Sequence, residues 1–187
     1  MALGACSTAT ACYVYSASGE RVRKTTGSTS VDYLYDLASH EITELSSTGA
    51  MNRGEVYAGS RHVATYELGT TYLNFSDGLG TERLRTLATG VTCETITSLS
   101  FGDGQNTSGS CADSSPMHFT GKQRDTESGL DDFGGRYDSS SLGRFMTPDW
   151  AAKPTTIPYA VFGNPQSLNL YAYVQDNPID HMCSAPL

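Results

Sequence analysis

The sequence predicts an all-β protein of short antiparallel hairpins, and two observations carry that prediction. The first is composition. The 187 residues include 11 tyrosines and 19 glycines, with Ser and Thr frequent throughout. That is the mixture of β-branched, aromatic and turn-forming residues that short strands and tight turns use. Hydrophobic residues make up 38% and charged residues 17%, enough apolar content to fold but short of a long helical bundle. The second observation is a recurring strand–turn–strand unit, sought first because a missed repeat miscasts the whole fold.

The first unit is Tyr13-Val14-Tyr15, a polar turn over Ser16 to Gly19, then Glu20-Arg21-Val22-Arg23. Tyr33-Leu34-Tyr35-Asp36, Leu37 to His40 and Glu41-Ile42-Thr43-Glu44-Leu45 repeat the pattern. Each reads as alternation, a short break and alternation again, the signature of a hairpin. Further units fall at Glu55-Val56-Tyr57 with Arg61 to Tyr66, and at Thr71-Tyr72-Leu73-Asn74-Phe75, which enters the turn Asp77-Gly78 before Thr81 to Leu87. Alternation places Tyr13, Tyr15, Tyr33 and Tyr35 on one face, where stacked rungs would form a ladder of rings with their phenol tips near polar groups. A β-sandwich with scattered tyrosines is the competing architecture; the Tyr-x-Tyr recurring before the turns of the first two units favours hairpins. From Val91 to Ser115 the pattern dissolves into a long loop or an irregular hairpin. Cys93 and Cys111 flank that excursion and are expected to clip its base as a disulfide in an oxidising compartment. Asp103, Asn106 and Asp113 offer too few oxygens at fixed spacing for calcium, so Asp103-Gly104 reads as a turn.

Composition also excludes partners and chemistries. A net charge of −8 and a pI near 4.8 argue against nucleic acid, whose phosphates demand Lys and Arg. No apolar run approaches the roughly 18–20 residues that cross a bilayer, so no membrane span is expected. Met1 to Cys12 shows no signal peptide; Leu3-Gly4-Ala5-Cys6 mimics a lipobox without a hydrophobic segment before it. The simpler expectation is a chain that begins partway through a longer architecture. The five cysteines, at 6, 12, 93, 111 and 183, form no C-x-x-C pair, and no histidine stands at zinc spacing, so no metal is expected. No cofactor is expected either. Gly78-Leu79-Gly80 is followed by Arg83 where a dinucleotide fingerprint needs glycine, and neither a G-x-S-x-G elbow nor a Walker loop is present. Cys183 near His181 suggests a thiol nucleophile, but a terminal tail does not preorganise one.

The sequence becomes specific at His118. The run His118-Phe119-Thr120-Gly121-Lys122-Gln123-Arg124-Asp125-Thr126-Glu127-Ser128-Gly129-Leu130-Asp131-Asp132-Phe133-Gly134-Gly135-Arg136-Tyr137 continues through Ser139-Ser140-Ser141-Leu142-Gly143-Arg144-Phe145-Met146-Thr147-Pro148-Asp149. Asn164-Pro165-Gln166-Ser167-Leu168-Asn169-Leu170-Tyr171-Ala172-Tyr173-Val174 and Asp176-Asn177-Pro178 complete it. This series resembles the RHS repeat-associated core domain. Tyr33-Leu34-Tyr35-Asp36 resembles a YD repeat, and Tyr72 to Arg85 resembles the segment leading into the core. The resemblance implies YD hairpins coiled into a hollow β-shell, with the core as a plug just before a variable C-terminal effector, often a toxin. Relatives include polymorphic toxins, the C components of Tc toxin complexes and teneurins. It implies the organisation 1–90 shell hairpins, 91–115 irregular loop or insertion, 116–178 core and 179–187 divergent tail. The partners it implies are the rest of a shell or an effector polypeptide, in a secreted or cell-surface setting, and an open first strand invites self-association by its edge.

Residue chemistry suits a plug. Gly129, Gly134, Gly135 and Gly143 permit positive φ; Phe133, Tyr137, Phe145 and Trp150 supply aromatic anchors. Arg124, Arg136 and Arg144 are placed for bidentate ties to Asp125, Asp131 or Asp138. The resemblance also carries a candidate catalytic residue. Some relatives cleave themselves after the core with aspartates, and Asp149 matches one of these; a carboxylate pair with split pKa values activates water. The family's closing Asp-Pro-x-Gly is missing, because Cys183 and Ser184 stand where Asp and Pro are expected, with Asp180 as a displaced remnant. The leading expectation is therefore a structural, encapsulating module without the effector and without enzymatic activity. A self-cleaving aspartyl protease core and a surface adhesin or carbohydrate-binding module are the alternatives.

Overall fold

The computed structural model describes residues 11–109, 111, 115–149 and 163–178. Trp150, Asp180, His181, Cys183 and Cys6 lie outside the described residues. The protein is all-β. Ten strands form one sheet in sequence order: β1 Ala11–Tyr15, β2 Arg21–Thr26, β3 Thr29–Tyr35, β4 Glu41–Ser46, β5 Met51–Ala58, β6 Arg61–Glu67, β7 Thr70–Ser76, β8 Glu82–Leu87, β9 Thr92–Thr97 and β10 Asn106–Gly109. Four short strands form a second: β11 Gln123–Asp125, β12 Leu130–Asp132, β13 Tyr137–Ser139 and β14 Arg144–Phe145.

Two kinds of turn generate the meander. In one, the N–H of residue i donates to the carbonyl of i+4, and the N–H of i+3 donates back to the carbonyl of i. This pattern closes 16–20, 36–40, 46–50, 77–81, 87–91 and 99–103. Residue i+3 is left-handed each time, as Gly19, Ser39, Gly49, Gly80, Gly90 or Gly102, which is the three-residue hairpin loop closed by a bulge. Short polar side chains brace these loops: Asp36 Oδ1 accepts from the N–H groups of Ala38 and His40, and Asp77 Oδ1 accepts from those of Leu79 and Thr81. The glycine the turn needs in the fourth hairpin is thus Gly80, not the Gly78 that follows Asp77. The second kind is a two-residue reversal, with Thr26 facing Thr29, Ala58 facing Arg61 and Glu67 facing Thr70.

Strands β9 and β10 form a hairpin over Thr92–Gly109, clipped by a disulfide between Cys93 and Cys111 whose Cα atoms are 4.9 Å apart. Closing a loop of 18 residues stabilises by about 3 kcal/mol through the unfolded chain. Gly109 makes the close approach possible: at φ +123° a side chain there would put its Cβ 2.1 Å from the carbonyl oxygen of Cys93.

The chain folds as two compact units. The first holds the described residues through Ser76, with Glu82–Thr95 and 108–115; the second holds Asp77–Thr81, Ile96–Thr107 and the described residues from Pro116 onward. Their interiors differ in one respect. The second is aromatic: Phe119, Phe145 and Tyr173 are buried, with Leu79, Phe101, Phe133 and Val174 packed against them. The rings meet edge-on, Phe119–Tyr173 at 5.2 Å and Phe133–Phe145 at 5.3 Å between centroids, the arrangement their quadrupoles favour. Buried side chains in both units are mostly charged or polar; what sets the second apart is this aromatic cluster.

Candidate functional site

Strand register explains the polar interior of the first unit. Residues two apart on a strand share a face, and so do residues directly opposite across a ladder. Glu44 lies opposite Arg53, Glu55 opposite Thr65, Asn74 opposite Arg85, and Arg85 opposite Glu94. One face from β4 to β9 therefore carries a continuous strip of charge. Arg53 Nη2 donates to Glu44 Oε2 at 2.9 Å, its Nε lies 2.6 Å from Glu55 Oε1, and Glu41 is 4.0 Å away. His62 stands between Glu55 and Glu82 at 2.8 Å from each, Thr65 donates to Glu55, and Arg85 Nε donates to Glu82 at 2.8 Å. Asn74 Nδ2 donates to the hydroxyl of Thr65 at 2.9 Å.

Burial and pairing compete for each charge. Burial, partly offset by Arg53, pushes the Glu41 carboxyl up to about 8. Burial also opposes ionisation of Glu82, yet His62 and Arg85 hold its carboxyl below the usual range. Arg53 is desolvated too, but Glu55, Glu44 and Glu41 keep its guanidinium more firmly protonated than usual. At the start of the sheet the buried Arg21 guanidinium lies 5.2 Å from the ring centroid of Tyr13 and 5.3 Å from that of Tyr33. The tyrosine rungs thus share a cation, a cation–π arrangement, and Tyr35 donates its hydroxyl to the Arg21 carbonyl at 2.9 Å.

In the second unit, the residues singled out from the sequence frame the aromatic interior. Gly121 closes the turn 118–122 with its N–H on the His118 carbonyl, and Gly129 and Ser128 donate to the carbonyl of the buried Asp125. Arg124 forks onto Asp131 at 2.8 and 2.6 Å and reaches the Ser140 hydroxyl at 2.6 Å. Leu130 sits in β12 and Tyr137 in β13, whose carbonyl accepts from Met146. Gly143 closes the loop back onto Ser139. Arg144 is exposed and bridges Ala172; Phe145 donates its N–H to the Tyr171 carbonyl. Asn164 caps the turn that Pro165 begins and donates to Gln175 at 2.9 Å, while Asn169 Oδ1 accepts from the N–H of Tyr171. Asn177 donates to the Val174 carbonyl, Pro178 is buried and Pro148 half-buried. Of the four core glycines, Gly135 does not adopt positive φ.

The arginine ties differ from expectation at two places, the exposed Arg144 and the stacked Arg136. Arg136 lies 3.7 Å from the Phe145 ring centroid and 3.5 Å from Asp149 Oδ2, rather than on Asp125, Asp131 or Asp138. Asp149 also donates its N–H to the Leu170 carbonyl. A carboxylate pair does exist, but elsewhere. Asp131 and Asp138 face each other across β12 and β13, both fully buried. Burial and then the Asp131 charge push Asp138 up to about 6, against Arg124 and Arg136. Among the described residues no group of three or more His, Cys, Asp and Glu is gathered so as to hold a metal ion, and no helix is long and apolar enough to cross a membrane. The sequence reading missed His62, Glu82 and the Asp131–Asp138 pair. Their signal is charge at strand positions where alternation calls for burial, as in Arg53-x-Glu55.

An in-order hairpin meander followed by an aromatic, glycine-rich four-stranded unit defines the class by fold. No protein-family model and no curated protein matches the chain. Solved structures do. The chain is similar to the Photorhabdus luminescens Tc holotoxin pore carrying a TccC3 point mutation, at 21% identity and TM-score 0.64, over 92% of this chain and 8% of that one. It is also similar to TcdB2–TccC3 at 22% identity and TM-score 0.66, and to TcdB2–TccC3 without its hypervariable C-terminal region at 22% and 0.65. Each of these two matches covers 92% of this chain and 9% of the other. At this identity what is shared is the fold, and the chain spans less than a tenth of those neighbours.

Proposed function

We propose that this chain is a structural, encapsulating segment of an RHS-repeat protein. Its hairpins form part of a shell wall, and residues 116–178 form the plug that in relatives precedes a C-terminal effector. The observation that carries this reading is the shared fold over 92% of the chain with TcdB2–TccC3. An in-order meander supports it, since each hairpin buries its faces against the next and such arrays extend by addition of rungs. The remainder of such a shell, or an effector polypeptide, is the partner. A secreted or cell-surface setting agrees with the Cys93–Cys111 disulfide, which persists in oxidising compartments.

In this reading the core is inert and Asp149 serves packing: Arg136, itself stacked on Phe145, neutralises it. The same contact motivates the second reading, a self-cleaving core in which Arg136 holds the Asp149 carboxylate in place. Intact mass after prolonged incubation at pH 5 and pH 7 separates them. A single uncut mass at both values is expected. A defined fragment that disappears in Asp149→Asn would establish the protease instead.

A further inference from the structure

His62 in β6 has both ring nitrogens committed: Nδ1 is 2.8 Å from Glu82 Oε1 and Nε2 is 2.8 Å from Glu55 Oε2. A neutral imidazole has one N–H and one lone pair, so it donates to one carboxylate and turns its lone pair on the other. Only the doubly protonated ring satisfies both. We propose that His62 is a proton-held clasp: its imidazolium ties Glu55 of β5 to Glu82 of β8, and losing the proton in alkaline solution loosens this part of the sheet.

Groups from every strand packed around the ring set its charge. From β5 come Glu55, Arg53 and Tyr57, whose ring lies 5.1 Å from the imidazole. On β6 itself are Thr65, 3.4 Å from Nε2, and Glu67, which faces Arg53. Asn74 of β7 places its amide nitrogen 3.3 Å from both ring nitrogens. From β8 come Glu82 and Arg85, with Glu94 of β9 at 3.9 Å from Arg85. Glu41 and Glu44 act through Arg53, and His40 stacks on Tyr57 at 4.5 Å. Deprotonation leaves Arg53 as the cation on Glu55 and Arg85 as the cation on Glu82.

Burial alone would lower the proton affinity of the ring, but the bonds to Glu55 and Glu82 outweigh it and raise the pKa from 6.5 to about 9. That is roughly 300-fold tighter proton binding than a free imidazole. Because the folded value is raised, the stabilisation is complete below the unfolded value of 6.5 and disappears as pH climbs through about 9.

The test is nitrogen NMR of the assigned His62 ring in the full chain, titrated from pH 6 to 10, alongside Tm for native protein and His62→Gln. Two protonated ring nitrogens at pH 7 are expected, with a titration midpoint near 9. The native Tm should fall with rising pH more steeply than that of the variant; Glu41 titrates in both and cancels. A ring with a single N–H at pH 7 overturns the proposal, as does a parallel fall in the two Tm curves. Should His62→Gln fail to fold, Glu82→Gln takes its place. It should lower the proton affinity of His62 at least tenfold, and an unchanged midpoint overturns the clasp.

Discussion

Arg53→Met is expected to destabilise the hairpin sheet by roughly 3–5 kcal/mol, the cost of leaving buried charges without their partner. Arg53 is 3% exposed and is the cation that Glu44, Glu55 and Glu41 share. Methionine fills much of the same volume, so the loss is electrostatic rather than a cavity. Urea unfolding reads it directly, as a fall in midpoint with the slope unchanged. Adding Glu55→Gln should recover part of the loss, because it removes one of the stranded carboxylates, and the two changes are close enough to couple. A loss under 1 kcal/mol for Arg53→Met would mean that the strip is well hydrated and that its ion pairs contribute little.

Phe119→Ala is expected to cost about 3–5 kcal/mol, by lost transfer energy plus the cavity left behind. At 1% exposure Phe119 meets both Phe133 and Tyr173, and Gly102 closes over it so tightly that an added Cβ would lie 2.5 Å from its own. Near-UV circular dichroism should lose most of its aromatic signal, while the far-UV spectrum of the hairpins persists. Leu142→Ala, at a position 62% exposed, is the control and should shift stability by no more than about 0.5 kcal/mol. If the two variants behave alike, the aromatic cluster is not what holds the second unit together.

Much of the fold was legible in the sequence because hairpins are local. Period-two alternation in Tyr33-Leu34-Tyr35, a polar Asp36 and a break before Glu41 suffice to place β3, its turn and β4. The turn chemistry was less legible: Asp77-Gly78 looks like a two-residue reversal, while the backbone uses Gly80 as its left-handed residue. The pairing within the charged strip was hidden for a different reason. Whether Glu82 meets His62 depends on register, and register here shifts at bulges between Val56 and Tyr57 and between Phe75 and Ser76. A bulge moves which residues face each other, and the hydrophobic pattern does not encode it. In the second unit Arg124 and Asp131 are neighbours across a short ladder, so the sequence could name that tie among its options. Arg136 and Asp149 stand 13 positions apart on either side of the β13–β14 pair, a contact no periodicity announces.

A shell segment and an isolated binding module make opposite demands on the sheet. A wall continues through its neighbours and encloses volume; an adhesin stands apart and presents its tyrosines to a ligand. Electron cryo-microscopy of the polypeptide that carries this chain, as its source produces it, decides between them. The account predicts that β1–β10 run continuously into a curved wall around a closed cavity, with residues 116–178 capping one end. A ten-stranded sheet standing free of any enclosing wall would contradict it.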